Sequence, residues 1–285
     1  MNGEAWSVLE EELARWGAAG IIARFWLRDD DAVSGGYRLA RLLEAGVRHR
    51  VPIALAVIPA GVEGTLVEAI AGHDVTVLQH GVRHANAAPP GTKQSEFPEG
   101  CDASRAAARV AAGWRRLCGW ALPVYPIFVP PWNRVDRRLA EVLLCDGYRA
   151  ISAFGRLGEG DARWVNTHVD LIDWRGGRNF VGVDRALSVL VHELEAGRAV
   201  LGAAASNGSP SPLRRKRGVQ HGGVGILSHH LVHDRDTWGF LEQLMARVST
   251  SDAAEWVDVR ALLGGQPLPG WSEYRAESGG PGGQP

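Results

Sequence analysis

Seven short apolar runs recur along the chain, with room for a helix between most of them. IIARFWL (21–27), VPIALAVI (51–58), VTVLQ (75–79), VYPIFV (124–129), YRAIS (148–152), VNTHVDLI (165–172) and VGILS (224–228) read as strands. Segments 36–47, 61–71, 102–119, 135–146 and 184–197 carry helical spacing instead, and Trp6, Leu9, Leu13 and Trp16 line one face of a leading amphipathic helix. Strand–helix alternation of this kind builds a parallel sheet covered on both faces. Seven strands in 285 residues suit a closed or nearly closed barrel better than a Rossmann sheet. No G-x-G-x-x-G or phosphate-loop signature follows any of the strands. The expected architecture is α/β, a single-domain (β/α)7 barrel over residues 1–263, with 264–285 a poorly ordered Gly/Pro-rich tail. Residues 86–100 and 205–223 read as loops, and the basic cluster Arg214 to Arg217 as a solvated part of the second.

The polar residues that stand out fall at the C-terminal ends of these strands. DDD (29–31) follows the first, QHGVRHAN (79–86) the third, PPWNR (130–134) the fourth, DW (173–174) the sixth and SHHLVHD (228–234) the last. In a parallel barrel those ends form one face, where active sites sit. Composition narrows the partners. Hydrophobic residues make up 45% and charged residues 22%, a globular balance, and the net charge of −1 gives no bulk attraction to nucleic acid. Cys101, Cys118 and Cys145 are scattered, which argues against a disulfide framework or a thiolate zinc site. The acidic N-terminal stretch does not read as a signal peptide, and no run reaches about 18 apolar residues, so a soluble cytoplasmic protein without a membrane span is expected.

His80 and His84 lie four apart, a spacing at which both imidazoles on one helical turn reach a single ion. Gly81 stands where the H-E-x-x-H pattern carries its glutamate, so a general base must come from elsewhere. The Asp triplet can supply both missing parts. Two histidines and one aspartate make a three-ligand divalent site with open positions, and a second aspartate can take a proton from water. Read more plainly, the triplet is a helix cap or solvated turn and the histidines are unrelated surface residues. His49, His73 and His192 read as structural or exposed, Asn86 and Glu96 as loop residues within reach of a substrate, and His233 and Asp234 as rim residues or a helix cap. Trp132 and Trp174 sit inside these motifs and offer apolar walls.

Taken in order, these motifs resemble those of the polysaccharide deacetylase family, the chitin-deacetylase type of carbohydrate esterase. RDDDA (28–32) answers to its T-F-D-D-G, with Asp30 at the catalytic-base position, Asp31 at the metal position and Asp29 in place of an aromatic. HGVRH (80–84) answers to H-[S/T]-x-x-H, DLIDW (170–174) to D-x-x-D-W, and GILSHH (225–230) to L-x-L-x-H with His229 at the catalytic-acid position. VPPWN (129–133) matches R-x-P-[Y/W] only in part: Val129 stands near the missing arginine, for which Arg28 or Arg134 is a substitute. The fifth motif is doubled by His230.

The resemblance implies a distorted seven-stranded barrel and a metal-dependent deacetylase acting on non-peptide C–N bonds. Asp31, His80 and His84 would hold one divalent ion, Zn2+ first, with Co2+, Mn2+ or Ni2+ as alternatives. Asp30 would be the base, His229 the acid and Asp173 the group orienting it, with Trp132, Arg134, Trp174 and His230 meeting substrate or oxyanion. The substrate would be a saccharide or a small N-acyl compound. Two alternatives stay open: an inactive barrel that binds saccharide or a partner, and a metallohydrolase of another ester class using two ions.

Overall fold

The computed structural model describes residues 2–158, 160–206 and 223–263. Arg214 to Arg217 and the tail from Gly264 lie outside these residues. The elements run α1 (Asn2–Ala18), β1 (Ala23–Ala32), α2 (Tyr37–His49), β2 (Ile53–Val57), α3 (Gly64–Ile70), β3 (Val75–His80), α4 (Ala103–Cys118), β4 (Val124–Val129), α5 (Arg137–Cys145), β5 (Ala150–Ile151), β6 (Val169–Asp170), β7 (Ile172–Asp173), β8 (Asn179–Phe180), α6 (Val183–Ser206), β9 (Val224–Ser228), α7 (Arg235–Ser249) and β10 (Ala254–Trp256). The main sheet has the order β5-β4-β3-β2-β1-β9-β6 and its pairings are parallel, with β10 alongside the start of β1.

The ring closes through the chain leading into and out of β6. Val165 N–H and Thr167 N–H donate to the carbonyls of Ile151 and Ala153 on the β5 side. His168 N–H and Leu171 N–H donate to Gly225 and Leu227 of β9 on the other. Seven parallel strands, each expected from an apolar run, therefore make a distorted (β/α)7 barrel. Helix α7, strand β10 and the β7–β8 ribbon had not been anticipated. Helix α7 is started by Asp234, whose carboxylate accepts from the Thr237 amide, and buries Trp238, Leu241, Leu244, Met245 and Val248. Strand β10 adds a short edge to β1.

Strand alternation divides the core in two. On β1, Phe25 and Leu27 pack outward with helices α1, α2, α6 and α7, while Trp26 faces the barrel interior with Ala54, Ala56, Leu78, Ile127, Val129 and Ala150. One large ring among aliphatic side chains fills the lower lumen, and a Cβ on Gly225 would lie 2.6 Å from Trp26 Nε1. Arg28 shares the parity of Trp26 and is fully buried above it, just under the face where the strands end.

Candidate active site

The three adjacent aspartates go three ways. A register shift separates Asp29, opposite Leu55, from Ala32, opposite Val57, so β1 spends one more residue than β2 over this span. Asp31 sits at φ 73°, a left-handed conformation uncommon for a residue with a side chain. Asp29 stays on the outer face, where its Oδ1 lies 2.5 Å from His230 Nδ1 and its Oδ2 accepts from Ser228 Oγ at 2.5 Å and His230 N at 2.9 Å. Asp30 points into the lumen and receives a two-pronged bond from Arg28, Nε to Oδ1 at 2.8 Å and Nη2 to Oδ2 at 3.0 Å. Asp31 turns to the mouth, with Oδ1 3.2 Å from His80 Nε2 and 3.4 Å from His84 Nε2.

The last cluster has the features of a cation site. His80 Nδ1 lies 3.0 Å from the carbonyl of Val129, and this contact aims Nε2 at Asp31. Nε2 faces a carboxylate oxygen, and neither His80 Nε2 nor Asp31 Oδ1, both buried, has a well-formed hydrogen-bond partner. Burial lowers the His80 imidazole, but Asp30 and Asp31 raise it, so a proton or a shared cation belongs between the two atoms. Two donors about 2.1 Å from one tetrahedral ion lie roughly 3.4 Å apart, close to the spacing seen. Burial would raise the Asp31 carboxyl, but contact with His80 and the charges of His80, His229 and His84 hold it well below the usual range. Burial and the neighbouring His80 push the His84 imidazole down.

The second-motif loop is built from its backbone outward. Gly81 adopts φ +56°, and a Cβ there would fall 2.4 Å from both Glu96 Oε2 and Pro131 Cγ. Glu96, 1% exposed, accepts from the amides of Val82, Arg83 and His84 at 3.0–3.1 Å. Left by the sequence as a loop residue within reach of a substrate, it fixes the loop that aims His84. Trp132 at φ 54° and Asn133 at φ 56° extend the run of left-handed residues around the site, and the Trp132 ring packs on His84 with centroids 4.3 Å apart. Four of the seven non-glycine residues with positive φ among those described, Asp31, His84, Trp132 and Asn133, gather at this mouth. Such concentration of backbone strain marks a site whose geometry matters.

Of the two arginines considered, Arg28 and not Arg134 contacts Asp30. Besides Asp30 it donates to Ser152 O and Oγ at 2.8 Å, to Ala153 O at 3.2 Å and to Asn133 Oδ1 at 2.7 Å. Arg134 is exposed and donates to Gln94 O in the 86–100 loop, away from Asp30. Asn133 was not singled out from the sequence, although it sits inside PPWNR.

Two further expectations need correcting. Asp173 does not orient His229: its carboxylate accepts from the amides of Arg175 and Gly176 and caps the β7–β8 turn. Asp170 is the residue beside His229, whose charge it feels; it accepts from Trp174 Nε1 at 2.9 Å and from the Ile172 amide, and its burial raises its carboxyl. Trp174 meets His229 edge to face at 4.6 Å and is 40% exposed, so it remains open to a ligand. His230 is 1% exposed and spent on Asp29, so it does not meet substrate. Asp234 is a helix cap, and its neighbour His233 accepts the His229 amide proton at Nε2.

Comparisons with known proteins support the fold. No family model matches the chain, and no curated protein matches it. Solved structures do. A Mycobacterium smegmatis protein described as a polysaccharide deacetylase superposes with TM-score 0.54 and 15% identity, over 93% of this chain and 94% of its own. The Bc1960 peptidoglycan N-acetylglucosamine deacetylase superposes with TM-score 0.50 and 17% identity, over 85% of this chain and 88% of its own. The chain shares the barrel of these deacetylases. No helix among the described residues is long and apolar enough to cross a membrane.

Proposed function

We propose that this protein is a metal-dependent deacetylase that hydrolyses the C–N bond of an N-acylated sugar or a related small amide. The observation that carries the reading is the convergence of Asp31 Oδ1, His80 Nε2 and His84 Nε2 on one point, two of these atoms buried and unpartnered, beside a lumenal carboxylate and an imidazole. A divalent ion held there, zinc foremost, would supply Lewis acidity toward the acyl oxygen and the attacking water. Asp30 accepts the water proton, its carboxylate oriented by the fork of Arg28. The amides of Asn133 and Arg134 are committed to the carbonyls of Pro130 and Pro131, so the Trp132 N–H is assigned to the developing oxyanion. His229 donates a proton to the leaving amine, with the Trp174 ring edge to face against it and the Asp170 carboxylate near it. Trp132 and Trp174 flank the acyl-bearing group.

The arrangement speaks against both alternatives. A two-ion site needs a bridging carboxylate, yet Asp29 is taken by His230 and Asp30 by Arg28. An inactive barrel was suggested by the absent third-motif arginine, and a guanidinium, that of Arg28, nonetheless holds the Asp30 carboxylate. The test is acetate release from N-acetylglucosamine oligomers and small N-acetyl amines by zinc-loaded protein, with zinc counted by elemental analysis. One zinc equivalent, turnover in the wild type, and loss of turnover with metal retained in Asp30→Asn are expected. Full zinc retention by both His84→Ala and Asp31→Ala would remove the site from consideration.

A further inference from the structure

Two departures from the family pattern, an aspartate in place of an aromatic at 29 and a second histidine at 230, meet in space. We propose that Asp29 and His230 form a positioning pair that ties the strand carrying base and metal ligand to the turn carrying the acid, and so sets the distance between the two halves of the catalytic machinery. The inference rests on the reading of His229 as proton donor.

The geometry has three parts. First, the carboxylate of Asp29 takes three donors from one short segment: Ser228 Oγ, the His230 amide and His230 Nδ1–H. These flank His229 on both sides, and Asp29 is joined covalently to Asp30 and Asp31. Second, both partners are closed to solvent, Asp29 at 0% and His230 at 1% exposed, so water does not compete for these bonds. Third, the His229 backbone has little remaining freedom: its amide donates to His233 Nε2 and its carbonyl accepts from the Val232 amide. Arg38 of α2 in turn donates to the His233 carbonyl at 2.8 Å. His229 is thus held by its neighbours' side chains while its own ring stays free of structural bonds.

A purely structural pair predicts something different. Replacing a buried ion pair by apolar groups of similar volume is often neutral for stability. If Asp29 and His230 only fill the core, the double variant Asp29→Ala/His230→Phe should fold and work. If they position His229, it should fold, keep zinc and fail in the chemical step. Misplacing a catalytic group by about 1 Å costs on the order of 10²-fold. The proposal therefore expects kcat on N-acetylglucosamine oligomers to fall roughly 10- to 100-fold in Asp29→Asn and in the double variant, with KM within about 2-fold and one zinc retained.

Imidazole 15N spectra of the zinc-loaded proteins give a readout independent of substrate, with His229 signals assigned by their absence in His229→Gln. They should move or broaden in both variants, while those of His80 and His84 stay in place. Unchanged His229 signals, or a wild-type kcat in the folded double variant, would overturn the proposal. So would loss of zinc, because the pair would then act on the ligand strand and not on the turn. If the wild type releases no acetate, the functional reading fails on its own, and the spectra still decide whether the pair positions His229.

Discussion

Removing Arg28 should be among the most damaging single changes outside the metal ligands, and its cost follows from its contacts. The guanidinium is fully buried, forks onto Asp30, and also donates to Ser152 O and Oγ, Ala153 O and Asn133 Oδ1. Two unit charges about 4 Å apart attract by roughly 4 kcal/mol at an effective dielectric near 20. Arg28→Met loses that attraction, leaves a carboxylate 2% exposed without its cation, and takes the Arg28 donor from the Ser152 carbonyl. New apolar burial offsets part of the loss. Breaking a buried pair from one side costs about 3–5 kcal/mol, and that is the expected destabilisation.

Urea unfolding of chelator-treated protein isolates this term from metal linkage. The double variant Arg28→Met/Asp30→Asn carries the sharper test. It removes the orphaned charge as well, and should recover at least about 2 kcal/mol of what the single variant lost. A single variant within about 1 kcal/mol of wild type, or a double variant no more stable than the single, would show that Arg28 does not hold Asp30 in solution. Arg134→Met, at the exposed alternative, should change stability by no more than about 0.5 kcal/mol.

Other expectations are equally specific. Glu96→Ala, which frees the three loop amides behind His84, should weaken zinc affinity on the order of 10- to 100-fold in a chelator competition. Asp173→Ala should leave turnover near wild type, whereas Asp170→Ala should lower kcat with zinc retained; equal effects would return Asp173 to the site. His233 is held down to about 4 by burial and by the charges of His230 and His229, against the opposing pull of Asp29 and Asp234. Between its ordinary value of 6.5 and about 4 the unfolded chain binds a proton that the native state refuses, so His233 lowers stability as pH falls through that window. The advantage of wild type over His233→Gln in urea unfolding should therefore shrink by about 3 kcal/mol from pH 7 to pH 4, and a constant difference would refute the assignment.

The strands were legible because a parallel barrel strand buried on both faces must be apolar throughout. The clustering of chemistry at their ends was legible for the same reason: polar side chains become affordable only where the strand leaves the core. The aspartate roles were harder, because they depend on which face of β1 looks inward. Trp26 and Arg28 share a parity, but only the assembled ring shows that this parity faces the lumen, and so makes Arg28 the partner of Asp30. Asp173 was misread for a related reason. The run 165–172 looks like one strand, whereas the chain leaves the barrel after Asp170 and folds into the β7–β8 ribbon, turning Asp173 outward. Glu96 acts across fourteen residues of chain through a backbone contact that no spacing rule registers.

Strand alternation also shows why three aspartates in succession fit this site at all. A regular β1 would carry Asp30 inward with Trp26 and Arg28, and Asp29 and Asp31 outward with Phe25 and Leu27. Asp29 and Asp30 obey that rule: one reaches His230 outside the barrel, the other Arg28 inside it. Asp31 breaks it. The extra residue in β1 and the left-handed backbone at Asp31 swing its carboxylate to the mouth, where His80, of lumenal parity with Leu78, turns its Nε2 to meet it. Each carboxylate thus has its own cationic or proton-bearing partner in a different direction, and the repulsion between neighbours is met by geometry. A left-handed non-glycine residue costs on the order of 1–3 kcal/mol. That strain falls on the one aspartate whose direction the regular strand could not provide, and on His84 and Trp132 around it, which places the demand for accurate geometry at the candidate metal site and not in the sheet that supports it.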